Sequence, residues 1–115
     1  MAGKLVHFEL PARDAARAKG FWTGVFGWEF SEPMGMEYFM TQNAEGQGGA
    51  IYASDNTALL AYFDTDDIDA TIEKVRAGGG TADDKGPIPH VGWHAVCADT
   101  EGNKFGLFQS DESVT

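Results

Sequence analysis

Two features of the 115-residue chain combine residue types and spacing suited to chemistry. His7 and Glu9 stand two apart in the alternating run KLVHFEL. On a strand both side chains leave the same face, about 7 Å apart along the chain. A carboxylate near an imidazole favours the charged ring, so the pair is expected to raise the His7 pKa and suit it to proton transfer. His90 and His94 lie four apart, but Pro89 and Gly92 prevent strand or helix spacing from being assumed between them. Cys97 is the single cysteine, which excludes an intrachain disulfide and a thiolate zinc cluster. On its predicted strand it reads as a small buried hydrophobe. Asp64, Asp66, Asp67 and Asp69 have the composition of a calcium loop without its glycine and terminal glutamate. They read instead as acids at a helix N-terminus, where the macrodipole favours them. Neither a dinucleotide-binding glycine pattern nor a phosphate loop is present.

The elements that must position these residues follow from periodicity. Residues 4–10 form a strand with Val6, Phe8 and Leu10 on one face and Leu5, His7 and Glu9 on the other. Asp14 offers an N-cap to a helix in which Ala15, Ala18, Phe21, Trp22 and Val25 recur at helical spacing, and Gly27 stops it. Phe21, Trp22 and Phe26 are expected in the core, and Trp28 and Phe30 in the first sheet. Short strands follow near 28–31, 36–42 and 49–54, separated by turns at Pro33-Met34-Gly35 and NAEGQGG.

The second half repeats the order. A strand at 58–64 precedes a helix opened by Asp66 or Asp67, with Ile68, Ile72 and Val75 on one face and three glycines at its end. A strand near 81–85, a loop with Pro87 and Pro89, and strands near 92–98 and 104–109 complete it. Asn43-Ala44-Glu45-Gly46-Gln47 leads into Ala50-Ile51-Tyr52 as Asp99-Thr100-Glu101-Gly102-Asn103 leads into Gly106-Leu107-Phe108, at an offset of 56. A duplicated βαβββ unit is the economical explanation, with modules at about 1–57 and 58–115.

Composition narrows the partners. With 18 acids against 8 bases the formal charge is −10, and no basic residues form a run, which argues against nucleic acid and anionic membranes. Residues 1–57 carry 7 acids and 4 bases and residues 58–115 carry 11 and 4, so the second half holds −7 of the total. A hydrophobic content of 43% supports one folded domain rather than disorder. No apolar stretch is long enough to span a membrane, so a cytoplasmic location is expected.

Nearly the whole chain resembles the vicinal oxygen chelate superfamily, which holds glyoxalase I, bleomycin-resistance proteins and extradiol dioxygenases. The resemblance runs from HFELPARDAARAKGFWTGVFGW through YFDTDDIDATIEKVRAGGG to GWHAVCADTEGNKFGLF. It implies an α+β fold in which two tandem βαβββ modules form a concave mixed-sheet cup holding the ligand, and a homodimer. Enzymes of the superfamily typically hold one divalent metal from the first and last strands of each module. Carried over, those positions fall on His7, Ala50, Leu60 (or Ala61 if the register slips by one) and Gly106. Three of these four cannot coordinate a metal, and about three ligands are needed. No metal and no cofactor are therefore expected, although His7, Glu9 and His94 offer a rebuilt set.

Strand alternation then fills the implied cup. His7 and Glu9, Ala50 and Tyr52, Leu60 and Tyr62, and Gly106 and Phe108 point inward, with either Trp93 or His94 from strand 92–98. Ala and Gly at former ligand positions leave room for a small organic molecule. The reading favoured is a bleomycin-resistance-like binding protein for an aromatic or cationic ligand. The alternative is a metal-independent lyase, isomerase or hydrolase using His7 with Glu9, ahead of a metal-dependent glyoxalase or dioxygenase.

Overall fold

A computed structural model of the chain describes residues 3–32, 37–42, 47–55 and 58–115. It divides into two compact units, His7–Leu60 and Ala61–Thr115, the latter joined by the residues before His7.

In the first unit, β1 (Leu5–Ala12) leads into α1 (Ala15–Phe26), followed by β2 (Phe30–Ser31), β3 (Tyr38–Gln42) and β4 (Gly48–Ala53). The strand order is β2-β3-β4-β1, antiparallel except for the parallel β1–β4 pair. The Asp14 side chain caps α1 by accepting from the Arg17 N–H, and Gly27, at φ 74°, ends the helix in a left-handed turn. Under α1 lie Ala15, Phe39 and Ile51, with Leu10, Ala12, Ala18, Trp22 and Phe30 packed around them. Phe21 and Phe26 depart from the expected core, being 60% and 61% exposed. A 12-residue helix buries one stripe, and that stripe runs through Ala15, Ala18 and Trp22. Phe26 instead stacks on Trp22 and lies tilted against Trp28, extending an aromatic cluster along the surface.

The second unit repeats the pattern with β5 (Leu60–Asp64), α2 (Ile68–Ala77), β6 (Thr81–Ala82), β7 (Gly86–Ile88), β8 (Gly92–Ala98) and β9 (Lys104–Ser110). Its strands run β5-β9-β8-β6, with β5 parallel to β9 and β7 paired to β8. The expected loop at Pro87 contains β7, because Pro87 sits opposite Trp93 on a short strand whose ladder tolerates the missing N–H. Asp67 is the cap of α2, accepting from the Ala70 N–H. Ile68, Ile72, Ala95, Cys97 and Leu107 form the core beneath that helix. The segment before His7 belongs here through paired backbone bonds, Gly3 N–H to the Asp64 carbonyl and Asp64 N–H to the Lys4 carbonyl, both 2.9 Å.

The duplication can be followed residue by residue. The two caps, Asp14 and Asp67, are 53 positions apart, and each opens a helix after a strand parallel to its module's last strand. Glu9 pairs with Ala50 as Tyr62 pairs with Gly106, and Tyr38 faces Tyr52 as His94 faces Phe108. The turns expected at Pro33-Met34-Gly35 and at Asn43–Gly46 lie outside the described residues. No helix among the described residues is long and apolar enough to cross a membrane.

Candidate functional site

The pleat of the first unit divides its sheet into two chemically different faces. Phe8, Leu10, Phe39 and Ile51 turn toward α1 or its aromatic cluster. The register places His7, Glu9, Tyr38, Met40, Ala50 and Tyr52 on the opposite face, because paired residues on neighbouring strands point the same way. There the Tyr38 hydroxyl lies 2.9 Å from His7 Nε2 and donates to Glu9 Oε2 at 2.7 Å. His7 and Glu9 are thus joined through Tyr38, a residue contributed by a different strand.

This geometry sets the protons. A phenol has one O–H, and Tyr38 commits it to the Glu9 carboxylate. His7 Nε2 must then be the donor to the Tyr38 oxygen, which leaves the lone pair of the neutral ring on Nδ1. The His7 and Tyr38 rings are stacked 6.5 Å apart at 17°, and the Tyr52 ring lies 6.4 Å from Tyr38. Contrary to the sequence expectation, the His7 pKa is lowered. Burial of the ring disfavours the cation and outweighs the opposing charge of Glu9.

Tyr38 was missed in reading the sequence, although it falls within the strand expected at 36–42. The usable signal was the hairpin: in an antiparallel pair, the residue opposite Tyr52 shares its face.

In the second unit, His94 shares a face with Phe108, Gly106 and Tyr62. Trp93 has the other phase: it packs against the core beneath α2, with Lys85 Nζ 4.3 Å from its ring centroid. Of the two alternatives on strand 92–98, the side away from the helix therefore carries His94. Phe108 lines a cavity of about 280 Å³ with Val6, Thr65 and Gln109. A larger one, about 640 Å³, lies by α2 between Phe63, Val75, Phe105 and Leu107, and of the candidate positions only Ala61, the alternative to Leu60, borders it. Cys97 is buried, and desolvation raises its thiol pKa, the opposite of what a nucleophile needs. Among the described residues, no three His, Cys, Asp or Glu side chains are grouped to hold a metal ion.

Residues 4–42 match the family model described as bleomycin resistance protein-like N-terminal. A glyoxylase-like domain-containing protein from Didymella fabae is 32% identical over 118 residues, covering 91% of this chain and 92% of that protein. The chain belongs to the vicinal oxygen chelate superfamily. Solved structures agree on the fold. Methylmalonyl-CoA epimerase from Mycobacterium tuberculosis superposes with a TM-score of 0.74 at 12% identity, over 94% of this chain and 88% of that one. A glyoxalase/bleomycin resistance protein/dioxygenase superfamily member from Vibrio splendidus gives 0.72 at 16%, over 96% and 100%. Homoprotocatechuate 2,3-dioxygenase from Brevibacterium fuscum gives 0.75 at 17%, over 99% of this chain and 38% of that one.

Within this vicinal oxygen chelate fold, the expectation that Ala50 and Gly106 leave room needs correction. Ala50 is fully buried, and the ring of Tyr62 lies so close over Gly106 that a Cβ there would collide with it. Tyr62 itself is 8% exposed, so its ring fills the space over Gly106 rather than lining an open surface. Leu60 and Tyr52 are half-buried.

Proposed function

We propose that this superfamily member is a glyoxalase/bleomycin-resistance-like small-molecule-binding protein that works without the family's divalent metal and takes an aromatic or cationic organic ligand. The observation that carries the reading is the His7–Tyr38–Glu9 chain, which engages the one histidine at a family ligand position. The other positions support the same reading. Ala50 and Leu60 offer hydrocarbon, and at Gly106 the Tyr62 ring takes the place of a ligating side chain. The residues present therefore do not fit the metal.

On the His7 face, Tyr38 and Tyr52 offer aromatic rings and Glu9 a carboxylate, a combination that attracts a planar or cationic group. The test is a thermal-shift series with aromatic cations on chelator-treated protein. Dose-dependent stabilisation is expected, as mass action requires, and Glu9→Gln and Tyr52→Ala should each reduce it. Absence of any shift across such a panel, or a shift that needs added divalent metal, overturns the proposal.

The fixed His7 tautomer favours a second reading, a metal-independent lyase, isomerase or hydrolase. Here His7 serves as the base and the Tyr38–Glu9 pair orients it. That reading requires His7→Gln to abolish turnover while leaving ligand-induced stabilisation in place.

A further inference from the structure

The two modules fill the space between helix and sheet differently. Counted from the Asp14 and Asp67 caps, Phe8 and Ala61 are equivalent, each six residues before the cap, and Trp22 and Val75 each stand eight residues after it. Strand register adds a further match. Ala82 lies opposite Cys97 as Phe30 lies opposite Thr41, which sets Gly80 at the position of Trp28. The match holds in space, because Trp28 stacks on Trp22 at 4.9 Å and a Cβ at Gly80 would meet Val75 at 3.0 Å. The first module thus has Phe8, Trp22, Trp28 and Phe30 where the second has Ala61, Val75, Gly80 and Ala82. Phe63 in place of Leu10 and Phe105 in place of Gly49 return only part of that volume.

The cavity of about 640 Å³ beside α2 is the remainder. Ala61 and Val75, both at positions where the first module has a ring, line it with Phe63, Phe105 and Leu107. It lies within the second unit and on the helix side of its sheet, since Leu107 packs beneath α2 while Tyr62 and Gly106 turn to the other face. Its walls are hydrocarbon, and its size is that of a small-molecule pocket. Phe63 and Phe105 meet edge to face, 6.1 Å between centroids, the geometry in which a further ring is readily added. The rim disfavours a charged guest. Asp64 Oδ1 already accepts the Lys4 N–H, and both oxygens of Asp99 accept N–H groups from Glu101 or Asn103, so a cation competes with bonded protein donors. An anion meets those two carboxylates against one ammonium among the lining residues, that of Lys104.

We propose that this cavity is a binding site separate from the His7 face, and that it takes an uncharged aromatic molecule of bicyclic size, whose rings play the part of Phe8 and Trp22 in the first module. Indole is the probe, added to the full chain and followed by methyl NMR. It should shift the signals of Val75 and Leu107 with a dissociation constant below about 1 mM, and leave the Met40 methyl on the His7 face in place. Tryptamine and indole-3-acetate should shift Val75 and Leu107 less at equal concentration. Val75→Trp and Ala61→Phe install the first module's residues. Each should weaken indole binding by about tenfold or more and raise Tm, because a side chain then fills the void. Unmoved Val75 and Leu107 signals overturn the proposal, as does indole binding undiminished in both variants. Equal or stronger effects of the charged analogues on Val75 and Leu107 also overturn it. Shifts confined to Met40 overturn it too, and would assign indole to the His7 face instead.

Discussion

The hydroxyl of Tyr38 donates to Oε2 of Glu9 across 2.7 Å and so links, through its own oxygen, two side chains of β1 that the strand pleat merely sets side by side. Tyr38→Phe removes the donor to Glu9 and the acceptor for His7 with almost no change in shape. A loss of about 1–2 kcal/mol is expected in urea unfolding, the scale of a half-buried hydrogen bond to a charged group. The nitrogen chemical shifts of His7 should also move away from the pattern of a ring protonated at Nε2. An unchanged tautomer would mean that Tyr38 does not set it.

Acid sensitivity should carry a His7 contribution of known sign. Burial holds the folded-state pKa below the ordinary 6.5, so the unfolded chain binds a proton that the folded chain resists. The stability that depends on a neutral His7 is fully present above pH 6.5 and is lost as pH falls through that value toward the folded pKa. Urea midpoints measured across this range should fall less steeply for His7→Gln than for wild type. Equal slopes would show that His7 does not contribute.

Gly106 and Tyr62 should behave as a coupled pair. Gly106→Ala forces a methyl into the Tyr62 ring and should cost about 1–3 kcal/mol, the usual range for overpacking. Tyr62→Ala alone should also destabilise, by leaving a void. The double variant should be more stable than the sum of the two losses implies, because the methyl enters space the ring has left. Strict additivity in a denaturation cycle would contradict the contact.

The acids of the second half make a separate point. Asp67→Ala removes the acceptor for the Ala70 N–H and is expected to cost about 1 kcal/mol in thermal or urea unfolding. The exposed neighbour Asp66, which caps nothing, should be nearly silent. Similar losses at both positions would favour a role for the cluster other than capping.

Much of the fold was legible in the sequence because it rests on local rules. Alternation at 4–10, the Asp14 and Asp67 caps and the Gly27 stop each depend on a few neighbours in the chain. The repeated turn and exit strand exposed the duplication, and the motifs pointed to the superfamily. The short β7 was hidden by its prolines, and the exposure of Phe21 and Phe26 by helical spacing that resembles a core stripe until the sheet beneath fixes which side is covered.

By itself, the sequence determined the two βαβββ modules and the phase of β1 that sets His7 and Glu9 on one face. Periodicity and residue chemistry suffice for those. Tertiary structure alone decided that Tyr38 joins His7 to Glu9, that burial rather than the nearby carboxylate governs the His7 pKa, and that the Tyr62 ring fills the space over Gly106. Each depends on which side chains are brought into contact by strands far apart in the chain, and local periodicity fixes the face of a side chain but not its neighbour across strands.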